Sequence, residues 1–346
     1  MRKYFLSILM GLFLFMSSQD SKAAGPTYVK DTTISAATEW TKDNSPYIIQ
    51  NDLVVSHGAV LTIDPGVEVQ FVAPTNGKIG SGPNLVIQGG LRAVGNSMGA
   101  VSFNPSTQGS LWGAIYFYGS DAANSILQLC MIKGGRVVCN SSSPTITQCA
   151  IYGAKSGVEV GANSQPQIVG NRITADAYGI SLLSETASPV ITGNEIYNNN
   201  YGFYLKDFGM PNISGNKIYN NIKFNIVNSS PKSLAAPNND FRVLDAQQIV
   251  RTIYDGAYNA SLGRINFMPY VGMPSGQTAQ AVASAQPSAT SQEKPKIQEE
   301  DFWSYGRPFD AMKISNVDSE KKKPSNTVKV LAVGATAVVT VVLLFL

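Results

Sequence analysis

The sequence predicts an all-β fold, a single-stranded right-handed parallel β-helix solenoid, and three observations carry that expectation. Only 14% of the 346 residues are charged while 44% are hydrophobic, so the chain lacks the charged faces that surface helices turn to water. Four segments beginning at Pro144, Pro166, Pro189 and Pro211 align almost without gaps at spacings of 22, 23 and 22 residues, and a fixed period of this size marks a solenoid with one repeat per turn. Within each segment apolar residues alternate and are interrupted by Gly and Asn, the pattern of short strands joined by tight turns rather than of helices.

The elements follow in chain order. Residues 1–24 read as a signal peptide: Arg2 and Lys3 precede the apolar run Tyr4 to Met16, and small residues follow at Ser21, Ala23 and Ala24. The body is expected over 27–271. Its first half holds short apolar or alternating runs, Leu53-Val54-Val55, Ala59 to Ile63, Val67 to Phe71, Leu85-Val86-Ile87 and Val101-Ser102-Phe103, separated by Gly, Pro and Asn. In the regular repeats, Ile146, Ile168, Ile191 and Ile213 form one inward column, and Ile151, Ile173, Ile196 and Ile218 a second, with turns about 4.8 Å apart.

Two residues before the second isoleucine stands the column Cys130, Cys149, Asn171, Asn194 and Asn216. Identical buried amides stacked at strand spacing satisfy one another, so the column reads as a structural ladder. The cysteines fit either buried thiols or a disulfide between turns; parallel Cβ vectors favour thiols for Cys130 and Cys149.

Beyond the body, 272–327 reads as a disordered, Ser/Ala/Gln/Pro-rich linker. It contains the aromatic cluster 301–309, DFWSYGRPF, which suits a docking motif, a fold-back onto the body or a membrane interface. Residues 328–346 end in the apolar run Val330 to Leu346, expected to be a C-terminal transmembrane helix. Lys321, Lys322, Lys323 and Lys329 beside it run against the positive-inside tendency, and a removable lipid-anchor signal is the second reading. The sequence therefore places the protein in the cell envelope, exported and membrane-anchored.

A net charge of +3 without a basic stripe gives no sign of a nucleic-acid partner, and one His with three scattered Cys gives no metal site and no cofactor. Outward aromatics are the more informative feature. Tyr152, Tyr197 and Tyr219 share a column with Thr174, and Tyr178 and Tyr201 form another with Tyr204 nearby. Such strips suit stacking of sugar rings, and equally suit stacking on one another.

The strings LTIDPGVEVQF, LVIQGGLRAVG, VSFNP and WGAIYF, followed by the N-x-I repeats, resemble secreted bacterial right-handed parallel β-helix repeat proteins of the pectate-lyase-like group, with repeats similar to the NosD-like branch. Ile253-Tyr254-Asp255, Leu262-Gly263 and Ile265 to Tyr270 resemble the segment that closes such domains, so the likeness spans Ile48 to Tyr270. It implies the fold strongly. It implies function weakly, because the fold hosts lyases, hydrolases, isomerases and non-catalytic adhesins. The acids of the regular turns, Glu159, Asp176, Glu185, Glu195 and Asp207, share no column, which leaves Glu195 and Asp207 as weak catalytic candidates. His57 lies in a turn with no acid or nucleophile beside it in sequence. The expectation is a non-catalytic envelope or surface protein binding a polysaccharide or another envelope component; a polysaccharide lyase or glycoside hydrolase is the alternative.

Overall fold

A computed structural model describes residues 25–72 and 82–276. The expected signal peptide, aromatic cluster 301–309 and apolar run 328–346 lie outside the described residues. Among the described residues no helix is long and apolar enough to cross a membrane.

The body is the expected right-handed parallel β-helix. Three sheets of nine, ten and eight strands run its length, and each strand pairs in parallel with the strand one turn before and one turn after it. In the regular half one turn visits the eight-stranded sheet (Gln167–Val169), the nine-stranded sheet (Arg172–Thr174) and the ten-stranded sheet (Tyr178–Leu183) in that order. Both isoleucine columns fall where alternation puts them: Ile146, Ile168, Ile191, Ile213, Ile151, Ile173, Ile196 and Ile218 are all at most 1% exposed. Burying an aliphatic side chain is worth roughly 1.5–3 kcal/mol, so each turn adds an almost identical increment and depends on its neighbours for it.

The corner between the eight- and nine-stranded sheets is made by one left-handed residue followed by one ladder residue. Gly170, Gly193 and Gly215 have φ of 67 to 69° and precede Asn171, Asn194 and Asn216; Leu129 and Gln148 take the same conformation before Cys130 and Cys149. Glycine adopts this backbone without a Cβ penalty. The asparagine then closes the corner. Oδ1 of Asn171, Asn194, Asn216 and Asn239 accepts the backbone N–H of Cys149, Asn171, Asn194 and Asn216 at 2.8–3.0 Å. The Nδ2 groups of Asn171, Asn194 and Asn216 donate to the next rung's Oδ1 and to the carbonyls of Ile146, Ile168 and Ile191. Asn239, past the last repeat, extends the ladder by a rung.

The corner between the nine- and ten-stranded sheets repeats the device. Ala175, Asn198 and Asn220 have positive φ, and each precedes an inward Asp176, Asn199 or Asn221. Asp176 Oδ1 accepts from Ala154 N–H at 2.6 Å, Asn199 Oδ1 from Asp176 N–H at 3.0 Å and Asn221 Oδ1 from Asn199 N–H at 3.1 Å. Where Asn199 and Asn221 carry an amide that donates to the carbonyls of Ile173 and Ile196, Asp176 carries Oδ2, buried and without a hydrogen-bond partner. Burial pushes its carboxyl well above the usual carboxylate range. Asp176 thus takes an asparagine's place in the ladder with a carboxyl that burial biases toward the neutral form.

The three cysteines are buried free thiols. Cys149 takes an asparagine's place in the first ladder, with its Sγ donating to Leu127 and Thr147 carbonyls at 3.5 and 3.3 Å. The less regular half has an aromatic centre instead. Trp112 stacks on Phe71 at 3.8 Å with planes 1° apart, and its Nε1 donates to the Lys133 carbonyl at 2.7 Å. A Cβ on Gly135 would lie 2.0 Å from the Trp112 ring, so only glycine fits beside it.

Two outcomes test this account. Asn194→Ala removes a middle rung and strands buried donors on both sides; loss of at least about 3 kcal/mol in urea unfolding is expected. Asp176→Asn should raise the melting temperature at pH 7. Because the folded-state pKa of Asp176 lies above its unfolded value, the wild-type chain loses stability as pH rises past about 4. The advantage of the Asn variant should be small below that pH and grow above it, as melting curves across pH will show.

Candidate functional site

The outer faces of the three sheets differ in what they offer. On the nine-stranded sheet Tyr152, Thr174, Tyr197 and Tyr219 are half-buried in register on successive strands. Tyr197 and Tyr219 stack at 5.3 Å with planes 4° apart. Thr174 interrupts the strip, so Tyr152 stands one strand away from that pair. The neighbouring outward column is charged: Arg172 Nε lies 3.5 Å from Glu195 Oε2, and Tyr219 Oη donates to Glu195 Oε1 at 2.9 Å. Burial first, then that bond to a carboxylate, raises the Tyr219 hydroxyl above its ordinary pKa. Arg242, paired with Asp240 at 3.4 Å, covers the Tyr219 ring from 5.5 Å. Lys133 and Lys217 stand on the same face. The result is a flat aromatic step with mixed charges beside it.

On the ten-stranded sheet the tyrosines do not form an open strip. Tyr178, Tyr201 and Tyr204 are 2–3% exposed. Tyr178 and Tyr201 stand two residues before the inward Ile180 and Phe203, and Tyr204 one residue after Phe203, so alternation alone does not put the three together, but Tyr178 stacks on Tyr201 at 5.2 Å and tilts against Tyr204 at 5.5 Å. Lys223 lies 5.1 Å from the Tyr201 ring centroid. Their faces are spent on one another, which corrects the expectation of an exposed column. From Val86 onward the outward row of this sheet is closed: Val86, Tyr116, Val138, Glu159, Ser181, Tyr204 and Val227 are all buried, whereas Val54 before them is half-buried and Thr33 exposed. Burial pushes the Tyr116 hydroxyl up to about 12, opposed by the hydrogen bond from Asn140. Glu159 accepts two contacts from Arg136 Nη1, at 3.2 and 3.3 Å.

The two acids singled out from the sequence stand on different sheets. Glu195 belongs to the nine-stranded sheet and is held by Arg172 and Tyr219; Asp207 ends a strand of the ten-stranded sheet, Tyr201–Asp207. Burial alone would raise the Asp207 carboxyl, but the Lys232 ammonium at 3.0 Å and the Phe208 N–H outweigh it and hold the pKa below its ordinary value. The two acids lie on different faces. Among the described residues no group of three His, Cys, Asp or Glu is placed to hold a metal ion. One pairing was invisible in the sequence: His57 Nδ1 lies 3.1 Å from Asp121 Oδ2, across 64 positions, with both side chains about half exposed.

The described residues form a right-handed parallel β-helix with a half-buried tyrosine strip on one outer face. The family model described as "Right handed beta helix region" matches residues 94–241, in agreement with the coil just described. No curated protein and no solved structure matches it.

The Arg136–Glu159 pair supplies a test of the closed face. Arg136→Met leaves a buried carboxylate without its counter-charge and should cost about 3–5 kcal/mol; adding Glu159→Gln should recover most of that loss in the same urea titration.

Proposed function

We propose that the protein is a cell-envelope or surface β-helix that binds a glycan, or another extended envelope component, along the tyrosine strip of the nine-stranded sheet without transforming it. The observation that carries this reading is the parallel-stacked Tyr197–Tyr219 pair, half-buried on the outer face of the nine-stranded sheet beside Arg172, Glu195 and Lys217. Such a stack leaves ring edges and hydroxyls at the surface for the apolar faces and hydroxyls of sugar rings, and nearby polar side chains orient the hydroxyls. Turn spacing of about 4.8 Å makes the strip a repeated rather than a unique contact, which suits an elongated polymer better than a compact ligand. The fold itself supports a surface or carbohydrate-related role. Export and membrane attachment, expected from the chain's two ends, agree with such a role.

The full chain is incubated with a panel of polysaccharides, scoring retention and new reducing or unsaturated ends. Retention of at least one polysaccharide without new ends is expected. Tyr197→Ala and Tyr219→Ala should each weaken retention about tenfold, in line with stacking worth about 1–1.5 kcal/mol and lost ring area. New ends that vanish in Glu195→Gln or Asp207→Asn would replace this reading with the enzymatic one.

A further inference from the structure

The corner between the ten- and eight-stranded sheets has no ladder, and in three successive turns its length changes. The first passage runs through Ser56, His57 and Gly58; the second is the pair Gln88 and Gly89; the third carries a short 3-10 helix, Ser120–Asn124. The longest passage reaches back over the shortest to bring Asp121 to His57. Beside that pair a groove of about 470 Å3 opens over Gly89 and Gly90, with Val60, Arg92, Asp121, Asn124 and Ile126 on its walls. The glycines are required there. A Cβ on Gly89 would meet the Ser56 and Ala59 carbonyls at 2.3 Å, and one on Gly90 would press on Val60 at 3.1 Å.

The groove's charges are unevenly committed. Asp121 gives Oδ2 to His57 and Oδ1 to Ser120 Oγ at 3.4 Å, which leaves His57 Nε2 as the ring's uncommitted nitrogen. Arg92 is exposed, and among the described residues it has no ion pair or hydrogen bond from its side chain. Its neighbours in register are Thr62 and Ile126, and the nearest acid along that row is Glu39, two strands away. An unpaired guanidinium thus borders a groove whose other polar walls are Asn124 and the His57-bound Asp121, the rest being apolar or glycine.

We propose that this groove binds a sugar-sized molecule bearing one oxyanion, with Arg92 holding the anionic group and the Asn124 side chain a second polar contact, while His57 neutralises Asp121 from beside the groove. Its volume falls within the roughly 300–1,000 Å3 of small-molecule sites. Arg matches the two-oxygen geometry of carboxylate and phosphate alike. The site is separate from the tyrosine strip and does not depend on it.

His57 is the only histidine in the chain, so its imidazole signals report the groove without assignment. The full chain in non-ionic detergent is titrated with glucuronate, with glucose 6-phosphate, with inorganic phosphate and with neutral glucose, following the His57 resonances by NMR and affinity by calorimetry. Saturable shifts are expected with glucuronate or glucose 6-phosphate, and the stronger of the two identifies the anion; glucose should give none. Arg92→Gln should weaken that binding at least about tenfold, the loss of one charge-assisted contact, with Arg92→Lys recovering part of it and both variants melting as the wild type does. Tyr197→Ala should bind as the wild type does. Equal shifts with glucose, no shift with any sugar anion, inorganic phosphate matching the phosphorylated sugar, or unchanged binding in Arg92→Gln would each overturn the proposal.

Discussion

The structure depends on one constraint: a chain that turns tightly inside its own solenoid must still satisfy the backbone groups of every corner. A buried unpaired N–H or C=O costs about 1–3 kcal/mol, and such a corner recurs each turn. Asparagine meets the need because one side chain accepts and donates at once. Asn194 Oδ1 receives the Asn171 N–H while its own Nδ2 reaches the Ile168 carbonyl one turn earlier. The arrangement works only if the neighbouring rungs are in register. The ladder therefore fixes the stacking of the turns as firmly as the isoleucine columns fill the space between them.

Because both inner columns and both ladders are committed to structure, the chemistry left to the protein lies on outer faces and at the ladder-free corner. The three outer faces are unlike. One carries the half-exposed Tyr197–Tyr219 step, and one is closed by its own aromatics and by the Arg136–Glu159 pair. The low charge content has the same origin. Polarity inside the coil is handled mainly by amides, thiols and one carboxyl that burial pushes toward its neutral form, and the described ion pairs lie on outer faces and loops.

The isoleucine columns and the first ladder were legible because they recur with one residue type at one spacing. The second ladder recurs just as regularly, but its column reads Ala154, Asp176, Asn199, Asn221, and Asp176 passed for an ordinary surface acid. Its shared offset with Asn199 and Asn221 was the available signal. Tyr201 and Tyr204 are three positions apart, which alternation puts on opposite faces, yet Tyr178 touches both rings; neither that grouping nor its burial, which depends on ring contacts between strands, could be read from strand period. The His57–Asp121 pair was out of reach for another reason. Its separation of 64 positions is set by two corners of different length, and no local pattern encodes that difference.

The ladder spacings carry a consequence of their own. Asn171 to Asn194 is one residue longer than Cys149 to Asn171, and the extra residue is absorbed between Leu182 and Val190 while both ladders continue unbroken. Two corners of each coil are thus fixed in length, and the third is free to grow. That division makes the chain a natural display scaffold: loops of new sequence inserted at the third corner would be carried by the coil without renegotiating its interior, and divergence among such proteins should accumulate along that single edge.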